Sequence, residues 1–241
     1  MNFRKAPWEK RNLDVNCCDI FIDNDDVIDD FRADIEALNE EYQVMHISGG
    51  NSAALLAAQN MGFQIIEMNV ELVRDMKSVE IPTIYKRFEQ HLSYEYTDEK
   101  TMEMVLDRVK KGDMFLTDKI ASDPFFGPDK SGFRYYNWCK DIMDQGGVTV
   151  LSKYKNEVIG FETYKMDEKG SVTNIIGGVF PEYSNKGLGF APLYVELLSQ
   201  KEKGAKKVHT AVSSNNVPVL KVHEMLGYRV DKMTYILIRH L

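Results

Sequence analysis

The residues of this chain best placed to do chemistry lie in the run Val179-Phe-Pro-Glu-Tyr-Ser-Asn-Lys-Gly-Leu-Gly-Phe-Ala191. Its apolar start reads as a strand end, Pro181 turns the chain, and Gly187 and Gly189 open a helix. Glycines at such a place let the backbone close on a ligand without a Cβ in the way. The first amides of the helix have no intrahelical acceptor and lie at the positive end of its dipole. Asn185, Lys186, Gly187, Leu188 and Gly189 therefore suit a pyrophosphate, although the same glycine pair also suits a plain helix start. A dinucleotide fingerprint would need a third glycine at position 192, where Pro192 stands, and a preceding βαβ unit; neither is present.

The elements around this loop follow from patterning. Strands are expected over 148–154, 157–165 and 171–180, with turns at Asn156 and at 167–170. Then come a helix over 188–203, a strand over 207–212, a helix over 217–226 and a last strand over 228–240. Upstream, apolar spacing predicts helices over 30–41, 53–58 and 97–111, and strands over 42–47 and 63–73. The Pro- and Gly-punctuated stretch 123–138 reads as a loop entering a helix near Phe133. The fold class is thus α/β: a mixed, mainly antiparallel sheet flanked by helices. One spacing recurs. Asn51 to Gly62 and Phe63 repeats as Asn216 to Gly227 and Tyr228, each pair capping and closing a short helix after a strand with a histidine, His46 or His209. Either this is ordinary strand-helix-strand punctuation, or the first part (1–80) is a degenerate copy of the second (81–241).

Composition narrows the partners. The 241 residues carry a formal charge of −7 and no basic tract, which argues against nucleic acid and anionic membrane surfaces. No apolar run approaches the ~20 residues of a membrane span, and residues 1–11 lack the apolar core of a secretory signal. Cys17, Cys18 and Cys139 make neither a disulfide framework nor a metal-ligand spacing, so reduced thiols in the cytoplasm and no metal are expected.

The run 181–191 with its helix, followed by 209–228, resembles the GNAT superfamily of N-acetyltransferases. Ser184 to Gly189 occupies that family's Arg/Gln-x-x-Gly-x-Gly/Ala cofactor loop, with Ser184 where Arg or Gln is usual. The resemblance implies acetyl-CoA as cofactor, held by the loop and by Asn216. It also implies a proton donor to the departing thiolate at the position of His223, where the family often has tyrosine. With its segment Asp123-Pro-Phe-Phe-Gly127 and Phe133-Arg-Tyr-Tyr-Asn-Trp138, nearly the whole chain, strongly after Val148 and loosely before, resembles the dTDP-fucosamine branch, which acetylates a nucleotide-linked amino sugar and forms homodimers.

On that likeness the strand 171–180 should splay from its neighbour near Gly177 to Phe180. The Val179 N–H would then polarise the thioester carbonyl, as an oxyanion-hole donor does. Gly177-Gly178 suits a bulge or a weak strand centre equally. Glu162 and Glu67 are candidate bases for the incoming amine, with a water relay as the alternative. Arg134 and Lys130 could meet a substrate phosphate while Phe126, Tyr135 and Trp138 stack on a base or sugar, or those aromatics could simply be core. Two further readings stay open: a different amine, such as a polyamine, an amino acid or a protein terminus, and a non-catalytic acyl-CoA-binding module. A polyamine would call for an acidic cleft, and a nucleotide sugar for Arg134 or Lys130.

Overall fold

The computed structural model describes residues 1–241. Ten strands form one sheet in the order β1-β2-β3-β10-β4-β9-β8-β7-β6-β5. They are β1 (Asn2–Lys5), β2 (Cys17–Ile22), β3 (Tyr42–Ser48), β4 (Gln64–Asp75), β5 (Leu92–Tyr96), β6 (Val148–Tyr154), β7 (Glu157–Met166), β8 (Ser171–Val179), β9 (Lys207–Ser213) and β10 (Arg229–His240). Only β2–β3 and β8–β9 run parallel. The helices are α1 (Pro7–Leu13), α2 (Arg32–Glu36), α3 (Ser52–Asn60), α4 (Glu99–Lys110), α5 (Gly127–Asp144), α6 (Pro181–Ser184), α7 (Ala191–Glu202) and α8 (Val217–Met225). The mixed, mainly antiparallel α/β sheet expected from the sequence is what forms.

Alternation along the strands sorts the side chains onto two faces. On one, Val70, Leu72, Val172, Val208 and Val212 pack beneath α7, while Met45, Ile47 and Leu237 pack beneath α3. On the other, Leu151, Phe161 and Ile176 meet Val105 of α4 with Cys139 and Ile142 of α5, and Val44, Ile236 and Ile238 cluster with Ala6 and Leu13 at the two ends of α1. The adjacent Cys17 and Cys18 follow the same alternation, one buried on each face. Burial pushes both thiols up, that of Cys17 to about 12.

The recurring spacing has one construction in both places. Asn51 Oδ1 accepts the Ala54 N–H at 3.0 Å, and Asn216 Oδ1 accepts the Val219 N–H at 3.4 Å. Gly62 and Gly227 end their helices at φ +87° and +83°, a conformation costly to any residue with a Cβ. The strands of the two units interleave: β10 lies between β3 and β4, and β4 lies between β10 and β9.

Three expectations shift. The 30–41 helix is only a 3-10 turn, Ile28–Phe31, followed by the five residues of α2. Helix α5 starts at Gly127 rather than near Phe133, because Pro128 occupies its first turn, where a missing N–H costs nothing. Helix α7 starts at Ala191, three residues after the expected 188, which leaves the glycines in the preceding loop.

Candidate active site

Strands β8 and β9 pair only at Ser171, Val172 and Thr173, opposite Lys207, Val208 and His209. Beyond Thr173 they part, earlier than the expected Gly177. The cause is a bulge: β7 steps from Thr163 to Tyr164 while β8 steps from Ile176 to Asn174, so Ile175 is the extra residue. Bulged strands bend, and this one turns Ile175 and Ile176 together toward α4 and α5 while Asn174 faces α7. The glycine pair is not the bulge. Gly177 instead leaves room for a neighbour, since a Cβ there would meet Glu162 Oε2 at 2.0 Å.

The parted strand presents donors to the gap. Phe180 N–H bonds to Ile159 O at 2.7 Å. Antiparallel pairs alternate between bonded and unbonded, so the next pair, Gly160 with Val179, is unbonded. The Val179 N–H therefore points away from β7 into the opening. Phe180 contributes neither amide nor ring to the gap: its N–H is used and its side chain is buried against Phe161.

A cleft of about 560 Å³ runs along this gap from Glu162 and His223 to Ser184 and Gly189. Gly189 lines its far end, and in that loop the N–H groups of Gly187, Leu188, Gly189 and Phe190 make no hydrogen bond to backbone or side chain. Gly187 holds φ +72°, and a Cβ on Gly189 would touch nothing, which leaves its surface free for a ligand. Four unpaired amides ahead of a twelve-residue helix fit a pyrophosphate. Ser184 gives its hydroxyl to Pro181 O at 2.8 Å. Asn185 and Lys186 are exposed on the same turn. The Asn216 side chain caps α8 and also lines the cleft.

His223 reaches this cleft but is not built as a proton donor. It is buried, with Nδ1 2.9 Å from Val219 O. A carbonyl can only accept, so Nδ1 carries the ring hydrogen and Nε2, which has no partner, is left as an acceptor. Burial brings the imidazole down to about 4, so it is neutral at pH 7.

Glu162, also in this cleft, is 5 % exposed, and burial holds its carboxyl up to about 8. Behind it lies a polar network that sequence reasoning missed. Asn174 donates to Glu196 Oε2 at 2.6 Å, and Gln200 donates to Asn174 Oδ1 at 2.7 Å. Glu196 is fully buried, and desolvation together with the neighbouring Glu162 charge raises its carboxyl well above the ordinary range. The available signal was Glu196 inside the apolar run 191–198 of α7, with Ser199 and Gln200 one turn on along the same face.

Glu67 is not brought near Glu162. It lies on the opposite face of the sheet, in a second cleft of about 500 Å³ floored by β4 and walled by α5. Asn174, Ile175, Thr210 and Ala211 line both clefts, so the two open onto one gap. Arg134, Tyr135 and Trp138 reach the second cleft; Lys130 and Phe126 do not. Lys130 is exposed elsewhere on α5, and Phe126 packs edge-on against Tyr42. Arg134 is held by Glu9, its Nε lying 2.8 and 3.1 Å from the two carboxylate oxygens. Tyr135 stacks on Phe115 at 4.1 Å.

Comparison with known proteins agrees with this geometry. Residues 114–228 match the model of the Acetyltransferase (GNAT) family. A mycothiol acetyltransferase from Actinosynnema mirum is 28% identical over 89 residues, 37% of this chain and 30% of that protein. A GCN5-related N-acetyltransferase from Sphaerobacter thermophilus superposes with a TM-score of 0.58 at 11% identity, over 83% of this chain and 59% of that one. One from Kribbella flavida gives 0.56 at 14% identity, over 92% and 80%. A tandem GNAT protein from the clavulanic acid biosynthesis pathway gives 0.51 at 14%, over 83% and 64%. The chain thus spans under a third of the mycothiol acetyltransferase and under two thirds of the first of these structures. The fold is similar to that of GCN5-related N-acetyltransferases.

Proposed function

We propose that this chain is an acetyl-CoA-dependent N-acetyltransferase acting on a small-molecule primary amine. The observation that carries the reading is the parted β8, with the Val179 N–H turned into a gap that ends at four unpaired amides. Acetyl-CoA supplies an activated thioester; the amides of 187–190 would hold its pyrophosphate, and Asn216 and Ser184 flank the same cleft. Val179 N–H is set to stabilise charge developing on the thioester oxygen, a donor worth about 10²–10³ in rate where it has been removed elsewhere. Glu162, once ionised, is the carboxylate able to take the amine's proton at the gap. The amine would enter through the second cleft and meet the thioester where the two clefts join.

We further take residues 1–80 as a degenerate copy of the GNAT unit 81–241, supported by the shared cap-and-stop construction. Cytoplasmic location and a homodimer are carried as proposals, the latter open to sedimentation. Of the acceptors implied by resemblance, a nucleotide-linked amino sugar has little to meet its phosphates, because Lys130 lies outside the cleft and Arg134 is tied to Glu9. Calorimetry with coenzyme A tests the reading first: micromolar to submillimolar binding is expected, and no heat at millimolar ligand would refute it. Thiol release from acetyl-CoA with a panel of amines then separates an enzyme from a binding module.

A further inference from the structure

The second cleft carries a charge pattern of its own. On β4, Glu67, Asn69 and Glu71 alternate with core residues and so share one face, and all three line the cleft. Asp118 joins them from the loop before α5. Against these three carboxylates stand two cations, Lys119 and Arg134, and Arg134 is already neutralised by Glu9. Glu67 Oε2 is buried and has no hydrogen-bond partner, and burial raises its carboxyl above the ordinary value. Three carboxylates lining a cleft whose Arg134 is already paired ask for a cationic donor from a ligand. The alternative, a diphosphate, would be repelled by the same groups.

Position gives a length. The gap where the thioester would lie borders β8, and the Glu67–Glu71 row is on β4, two strands away across β9. Paired strands are about 4.8 Å apart, so the separation is at least roughly 10 Å at Glu71, opposite Ala211, and greater at Glu67, four residues further along β4. We propose that the second cleft selects an elongated diamine or polyamine, with one nitrogen at the Asn174–Ile175 gap and a protonated nitrogen roughly 10 Å or more away along the Glu67–Glu71 row. This rests on the acetyltransferase reading above. The near nitrogen, as the neutral amine, forms the C–N bond as the C–S bond breaks; one of its two N–H protons is lost as the amide forms, and the thiolate takes up a proton to leave as free thiol. The N-terminal unit, which has no phosphate loop, then supplies the acceptor-reading wall.

The test uses the full chain with acetyl-CoA and follows thiol release from spermidine, 1,3-diaminopropane, butylamine and UDP-glucosamine. Spermidine should exceed butylamine and 1,3-diaminopropane in kcat/KM by about tenfold or more, the scale of one charged hydrogen bond. In the isosteric Glu67→Gln/Glu71→Gln variant that preference should disappear, through KM more than kcat. Equal kcat/KM for spermidine and butylamine, or a preference for UDP-glucosamine, overturns the inference. Calorimetry with spermidine and no cofactor separates the two claims. Spermidine binding lost in the double variant, with no binding of coenzyme A, would keep this inference and sink the acetyltransferase reading. Coenzyme A binding without spermidine binding would do the reverse.

Discussion

His223 and Glu162 share one cleft and are moved in opposite chemical directions by the same burial. Desolvation disfavours whichever form is charged, so the imidazole loses its proton easily and the carboxyl keeps its own. With His223 near 4, no limb near pH 6.5 should appear in kcat between pH 5.5 and 9, and His223→Gln should preserve the shape of the profile. A limb between pH 6 and 7 that vanishes in the variant would restore the histidine as the acid. Glu162 should instead make log(kcat/KM) climb with pH and level off above about 8. Glu162→Gln should remove that rise and slow turnover by roughly 10²–10⁴.

The same carboxyl sets a stability slope. An unfolded glutamate ionises near 4.5 while the folded one holds its proton to about 8, so between those values the native state binds more protons. Stability conferred below pH 4.5 is therefore lost as pH rises through about 8, and Glu162→Gln should flatten the fall of Tm across that window. The histidine's place in the helix was legible from spacing, but its tautomer was not. That depends on Val219 O, a backbone atom that periodicity does not reveal.

At the level of elements, the glycines divide by what they face. Gly132 lies inside α5, and a Cβ there would meet Gly112 Cα at 2.5 Å, so the helix presses against the end of α4 at that point. Read as loop punctuation, Gly127, Pro128 and Gly132 hid the first turns of α5; they are a helix start and a contact glycine. Gly132→Ala should cost about 1–3 kcal/mol in chemical denaturation, as overpacking does. Gly189→Ala meets nothing and should leave stability within about 0.5 kcal/mol while raising KM for acetyl-CoA. If Gly189→Ala unfolds the chain or leaves KM untouched, the loop is structural only. The β8 strand was visible in the sequence, and so was the glycine loop that follows it. The bulge at Ile175 was not, because one inserted residue in a run of apolar and small side chains leaves the hydrophobic pattern intact.

Across the whole molecule the two units are not separable beads. β10 pairs with β3 through seven residues, Thr234 to His240, and with β4 along most of its length. The two tryptophans lie on helices from the two parts of the chain, Trp8 on α1 and Trp138 on α5, which Glu9–Arg134 and Arg11–Asp141 join. Single-tryptophan variants should therefore show coincident unfolding transitions, and Leu237→Ala, at a fully buried position in β10, should lower both by about 2–5 kcal/mol. Transitions that separate would show independent domains. Residues 1–41 were the least legible part, since β1, α1 and β2 are short and draw their order from neighbours: β2 pairs with β3, and Arg11 bonds Asp141 from across the fold. Local pattern cannot encode such long-range support.

The insertion of β10 between β3 and β4 also fixes a calendar for synthesis. The twelve residues that join these two strands are made long after both, so β3 and β4 wait, unjoined, through the making of everything between them. Nascent chains stalled at residue 225 should stay open to protease in the region 42–75, and extension until β10 has emerged should close it.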